Sequence, residues 1–230
     1  MQPLISVQGL TYQYEDGTTA LAGIDFTLCE GETVALLGAN GSGKTTFVLH
    51  LNGLLQGVGQ ITVCGSPLTE PNLTLIRSKV GMVFQDSEEQ LFMPTVLEDV
   101  AFGPLHLGLS SAEARIVAIN SLKSVGMDHV AGKAPYHLSA GEKKRVAIAG
   151  VLAMNPEILV LDEPTTYLDP PAQRDLIQLL RTLPQAKIIV THDIYFAEAL
   201  ATRALFFERG KIKGAGSVDE LTKRFDWRPS

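Results

Sequence analysis

Apolar residues in this chain fall in short runs, and the period of those runs changes along its length. Residues 5–7, 23–28 and 60–63 read as short β-rich segments set off by Gly and Asp turns, the pattern of an antiparallel sheet near the N-terminus. Residues 33–37 are different: an apolar run meets Gly38, and a helical pattern over 44–52 closes at Gly53, so strand, loop and helix follow one another. Further apolar strands are predicted at 80–84, 158–161, 188–190 and 204–207, and strands that alternate with helices imply a parallel sheet. From 86 to 153 helical spacing takes over. Ser110 and Glu113 carry capping-box spacing, and Ala112, Ile116, Ile119 and Leu122 are placed on one apolar face of the helix that follows. Glu208, Arg209 and Gly210 read as a hairpin turn, and the residues after Gly216 as one short helix and a loose end.

Composition narrows the class. With 230 residues and 45% hydrophobic content, the chain suits one large α/β domain better than two independent ones. Its apolar runs are far shorter than the roughly 18 residues of a spanning helix, and the N-terminus lacks a basic-then-apolar signal, so a cytoplasmic location is expected. Cys29 and Cys64 form no Cys-x-x-Cys pair and are expected as two free thiols. A net charge of -6 weighs against a nucleic-acid partner, with Lys143, Lys144 and Arg145 as a local basic cluster.

Three motifs carry chemistry. Gly38, Ala39, Asn40, Gly41, Ser42, Gly43, Lys44 and Thr45 match G-x-x-x-x-G-K-[ST] between a predicted strand and a predicted helix. Glycines there let backbone N–H groups converge on phosphates at a helix N-terminus, Lys44 reaches the β/γ oxygens, and the Thr45 hydroxyl suits Mg²⁺. Downstream, the apolar run 158–161 ends in Asp162, Glu163 and Pro164, at the strand end where α/β sheets bind ligands. Asp162 is assigned to Mg²⁺ through water, and Glu163 to the water that attacks the γ-phosphate. The run 188–190 leads to Thr191 and His192, an imidazole placed to contact the γ-phosphate or orient that water. His50, His106, His129 and His137 form no metal-ligand spacing and are assigned to surface or packing.

Leu138, Ser139, Ala140, Gly141 and Glu142, lying upstream of Asp162, resemble the signature sequence of ATP-binding cassette (ABC) ATPases. The resemblance covers nearly the whole chain. It implies a phosphate-loop NTPase (RecA-like) core with an N-terminal antiparallel β subdomain over about 1–85 and 154–230, and an inserted helical subdomain over about 86–153, all within a single domain of 1–230. It further implies that Tyr14 stacks on adenine, that Thr46 joins the phosphate loop, that Gln85 contributes to catalysis and to the Mg²⁺ shell, and that Asp169 forms the D-loop. Two copies would pair head to tail, with Ser139, Gly141 and Glu142 acting on the partner's ATP, where the start of the signature helix offers an anion site or Ser139 serves only as its cap. Ala140 and Glu142 depart from the commoner Gly and Gln.

The stretches 83–92 and 142–154 are similar to energy-coupling-factor ATPases, and the short tail to cobalt or nickel importers. That implies a transmembrane coupling subunit and a substrate-binding membrane subunit as partners, at the cytoplasmic face of the membrane. A vitamin cargo is the neighbouring reading. A DNA-maintenance ATPase would need coiled coils or a basic surface, and a GTP switch would need an Asn-Lys-x-Asp motif, which is absent.

Overall fold

The structure, a computed structural model, describes residues 3–227. In chain order its elements are β1 (Ile5–Gln13), β2 (Thr19–Leu28), β3 (Thr33–Leu37), α1 (Lys44–Leu51), β4 (Val58–Val63), β5 (Ser66–Pro67), α2 (Leu73–Lys79), β6 (Val80–Val83), α3 (Val96–His106), α4 (Ser111–Ser124), α5 (Ala140–Leu152), β7 (Ile158–Asp162), α6 (Pro170–Thr182), β8 (Ala186–Val190), α7 (Ile194–Leu200), β9 (Arg203–Glu208), β10 (Lys211–Gly216) and α8 (Val218–Arg224). Two sheets result, an antiparallel one ordered β2-β1-β4-β5 and a six-stranded one ordered β10-β9-β3-β8-β7-β6. In the second, β9, β3, β8, β7 and β6 are parallel, and β10 pairs antiparallel with β9.

The parallel strands are apolar throughout because both of their faces are covered. In β7, Leu159 and Leu161 pack with Val100, Val146 and Leu176 from the helical side, whereas Ile158 and Val160 pack with Phe47 and the antiparallel sheet. Phe47 of α1 meets Phe26 of β2 edge-on at 5.3 Å and Phe207 of β9 at 5.6 Å, so one ring ties the helix to both sheets. Removing such a buried ring costs about 3–5 kcal/mol.

The predicted strands are all present. The hairpin turn at Arg209 and Gly210 has φ of 46° and 72°, the two left-handed residues that a tight two-residue hairpin requires. Two expectations are corrected. The apolar face of α4 is not Ala112, Ile116, Ile119 and Leu122: Ile116 is 61% exposed and Ala112 is exposed, while Ala114, Ala118 and Leu122 are buried. The Ser110–Glu113 capping box forms as expected, but the rotation of α4 about its axis is set by α3 and α5, against which an alanine row permits close approach. The tail is not loose as far as it is described, because Phe225 stacks on Phe206 at 4.0 Å and Trp227 meets the same ring edge-on at 5.5 Å. Residues 228–230, where the rest of that tail falls, lie outside the described residues. Among the described residues no helix is long and apolar enough to cross a membrane.

Candidate nucleotide site

The strands β3, β8, β7 and β6 are consecutive neighbours and parallel, so their C-terminal ends lie side by side. From those ends emerge, in the same order, the loop beginning at Gly38, the pair Thr191–His192, the pair Asp162–Glu163, and Phe84–Gln85. Four segments far apart in sequence are thereby brought to one edge, on the side where open α/β sheets bind ligands.

The loop between β3 and α1 is backbone-built. Gly38 has φ 134°, and a Cβ there would lie 2.1 Å from the Phe207 carbonyl oxygen, so no other residue fits. Ser42 N–H donates to Ala39 O at 3.1 Å, and Gly210 N–H donates to Ser42 O at 2.9 Å, which fastens the loop to the β9–β10 hairpin. Lys44, 5% exposed, curls back and donates from Nζ to Gly38 O at 2.7 Å and Ala39 O at 3.0 Å. Burial pulls its pKa down, and the charges of Glu163 and Asp162 oppose that shift. α1 starts at Lys44, so its first free N–H groups face the same space.

Asp162 is buried and accepts from Thr45 Oγ1 at 3.3 Å. Desolvation raises its pKa, and the neighbouring Glu163 charge adds to the rise, so this carboxyl benefits from a cation. The donors are a carboxylate and a hydroxyl, both hard oxygens, and no group of three or more His, Cys, Asp or Glu residues suited to a metal exists among the described residues. Two protein oxygens suit Mg²⁺, which keeps waters and substrate phosphates in its shell. Glu163 sits at φ 42°, an uncommon left-handed conformation for a side chain with a Cβ, and its N–H donates to Val190 O at 2.8 Å. Its Oε2 lies 2.9 Å from His192 Nδ1.

A cleft of about 440 Å³ is lined by Tyr14, Thr18, Thr19, Ala20, Asn40, Gly41, Gly43, Lys44, Thr45, Thr46, Gln85, Glu163 and His192. Tyr14 follows β1, and its Oη is 2.8 Å from Thr46 Oγ1, which fixes the ring beside the loop. Thr18, Thr19 and Ala20 were not anticipated from the sequence; only the pairing of β1 with β2 carries them to the rim.

Ser139, Gly141 and Glu142 line a different cavity, with Ala172 and Leu176, so one chain does not bring them to this cleft. Ser139 caps α5: Glu142 N–H donates to Ser139 Oγ at 3.3 Å, and Glu142 Oε2 accepts from Ser139 N–H at 2.8 Å and from its hydroxyl at 2.9 Å. Asp169 caps α6 by accepting from Ala172 N–H at 2.9 Å. The basic cluster is consumed internally. Lys143 pairs with Glu88, Lys144 Nζ donates to Phe84 O and Gln85 O, and Arg145 donates to Val125 O at 3.0 Å.

The family description "ABC transporter" matches residues 21–166. A putative ABC transporter ATP-binding protein of Streptomyces avermitilis is 51% identical over 220 residues, covering 95% of this chain and 84% of that protein. The energy-coupling factor transporter ATP-binding protein EcfA of Methanosphaera stadtmanae is 45% identical over 227 residues, covering 96% and 82%. Among solved structures, cbiO1 of Clostridium perfringens, part of the ABC transporter complex cbiONQ, superposes with a TM-score of 0.87 at 37% identity, covering 98% of this chain and 93% of that one. A dimeric ATP-binding cassette solved in a post-hydrolysis state with ADP and Pi gives 0.82 at 31% identity, covering 93% and 98%. A phosphate loop, the strand-end Glu163 and the strand-end His192 thus line one cleft, with Asp162 bonded to Thr45 of its wall, in a fold shared with ATP-hydrolysing cassettes, and the chain belongs to the ABC transporter family as an ATPase.

Proposed function

We propose that this ATPase is the motor subunit of an energy-coupling-factor importer for cobalt or nickel ions, working as a head-to-tail homodimer peripherally bound at the cytoplasmic face of the membrane. The observation that carries the motor role is the convergence of Lys44, Thr45, Asp162, Glu163 and His192 at the ends of three adjacent strands. Lys44 and the α1 N-terminus hold the phosphates, and Thr45 and Asp162 would hold Mg²⁺, which would supply positive charge to neutralise phosphate oxygens. Glu163, oriented by His192, accepts the proton of the attacking water, while Gln85 closes the same wall and Tyr14 offers its ring to adenine. Ser139, Gly141 and Glu142 serve the partner copy's nucleotide, which accords with their placement on a separate cavity.

The importer assignment is supported by the likeness to EcfA and to cbiO1 of the cbiONQ complex. A groove of about 680 Å³ lined by Phe84, Leu91, Phe92, Phe102, Leu107 and Met154 offers a transmembrane coupling subunit an apolar seat, and a substrate-binding membrane subunit completes the complex. The test is uptake by proteoliposomes carrying the chain with its membrane subunits. ATP-dependent accumulation of Co²⁺ or Ni²⁺, abolished by Glu163→Gln, is the expected result; accumulation of a vitamin with no metal uptake would replace the cargo and keep the motor.

A further inference from the structure

We infer that Lys144 is a positioning residue that latches the strand end carrying Gln85 to helix α5. Lys144 is 2% exposed, and its ammonium donates to Phe84 O at 3.1 Å and Gln85 O at 2.9 Å. The last paired residue of β6 is Val83, opposite Leu161, so these two carbonyls lie just beyond the ladder, where no strand satisfies them. Among the described residues no carboxylate lies within ion-pairing distance of Lys144, and the charges of Asp86 and Asp162 reach it only from further away. Burying an ammonium without a carboxylate partner is unfavourable unless its protons are hydrogen-bonded. Its neighbours Val146, Ala147 and Ile148 are buried apolar residues, so packing alone would have been met by an aliphatic side chain.

A second attachment lies one residue earlier on the same helix, where Lys143 pairs with Glu88. The segment between is held to itself: Glu88 N–H donates to Asp86 Oδ1 at 2.8 Å, and the Gln90 amide bridges Phe84 N–H and Met82 O, each at 3.3 Å. The loop after β6 is therefore a compact unit with two points of attachment to α5, the inner one buried. Because α5 begins at the Ser139 cap, any displacement of that helix N-terminus is carried to Gln85 through Lys144. A cavity of about 390 Å³ between this loop, α5 and Thr166–Tyr167 leaves the unit room to shift when the latch is lost.

This inference rests on the reading of Gln85 as part of the ATPase site, so Gln85→Ala is measured beside it. Lys144→Met keeps the length and apolar stem and removes the donor. Its expected phenotype is a fall in kcat of about tenfold or more with the KM for ATP within about twofold, since small misplacement of a catalytic wall slows the chemical step. Amide exchange at residues 85–88 should accelerate while β3, β7 and β8 keep their protection, a local change that general destabilisation does not produce. Lys144→Gln, which retains an N–H donor, should recover part of both, and it carries the same measurements should the Met variant fail to fold. Normal kcat with Lys144→Met, or unchanged exchange at 85–88, overturns the latch. Normal turnover in Gln85→Ala instead removes Gln85 from the site, a separate failure.

Discussion

Glu163 Oε2 and His192 Nδ1 stand 2.9 Å apart across the ends of β7 and β8, and the register that pairs Asp162 with Val190 places them there. Glu163 also departs from ordinary backbone geometry, with φ 42°. A residue held in that region costs of order 1–3 kcal/mol unless its surroundings enforce it, so the conformation marks a side chain being aimed. Glu163→Gln should retain ATP binding and slow hydrolysis by about 10²–10³-fold, as loss of one well-placed transition-state contact does. ATP should then trap a dimer visible by light scattering. His192→Ala should also lower kcat while leaving nucleotide affinity near normal; unimpaired turnover in either variant removes that residue from the chemistry.

Lys44 is buried beneath its own loop and balances Asp162 and Glu163. Lys44→Ala takes away the phosphate contact and leaves two carboxylates uncompensated, one of them already raised in pKa by burial. Nucleotide affinity should fall by at least about tenfold, the equivalent of 1.4 kcal/mol. Titration with a fluorescent ATP analogue reads this directly, and an unchanged Kd would take Lys44 out of the site.

The strand-loop-helix unit, the paired carboxylates and His192 were legible because each follows an apolar run whose both-faces-buried pattern is written locally. Which strands lie side by side was not, since the order β3-β8-β7-β6 is a property of crossovers rather than of any local run. The rotation of α4 was misread for a related reason: Ile116 raises an apolar pattern on a helix whose packing face is chosen by the small Ala114 and Ala118. Lys144 was read only as part of a local basic cluster, because nothing in a run of two lysines and an arginine says which one turns inward.

Glu142 stands where the signature commonly has Gln, and its carboxylate is spent on capping α5. Backbone and side-chain hydrogen bonds from Ser139 hold its pKa below the ordinary carboxylate value. A depressed folded pKa stabilises the native state above the unfolded value of about 4.3, and the contribution is lost as pH falls through the folded value. Glu142→Gln keeps a capping acceptor, so melting at neutral pH should barely change, while the variant's acid unfolding should lose this residue's contribution to the pH dependence. Removing the negative charge should also lower KM for ATP, if this helix start faces the partner's nucleotide. A raised KM would show that the carboxylate assists binding.

Gly38 and Gly41 separate two kinds of glycine requirement. Both have positive φ, but a Cβ at Gly38 would strike the Phe207 carbonyl at 2.1 Å, whereas Gly41 has nothing within 4 Å. Gly41→Ala should cost about 1–2 kcal/mol, the usual penalty for left-handed backbone. Gly38→Ala must in addition push β9 or the loop aside and should cost at least about 3 kcal/mol. Urea denaturation of the two variants checks the order, and equal midpoints would mean that the loop shifts freely.

The carboxylates after Gln85 divide by their partners. Glu88 is already paired with Lys143, and Glu89 is exposed with no ion pair among the described residues. Glu89 precedes Gln90, Leu91 and Phe92 in the chain, and those three residues line the apolar groove proposed as the seat of the membrane subunit. Reversing Glu88 would set two lysines against each other and disturb α5, so it cannot isolate docking. Glu89 can. An arginine from the membrane subunit would meet its carboxylate in a partly desolvated, bidentate pair, and breaking such a pair costs about 2–5 kcal/mol, against about 1 or less for an exposed one. Glu89→Lys should therefore leave the ATPase rate and melting temperature of the isolated protein unchanged while weakening its affinity for the membrane subunit by about 30-fold or more. Co-purification at increasing salt and a binding titration measure the loss; full affinity in the variant would return Glu89 to an ordinary solvated surface.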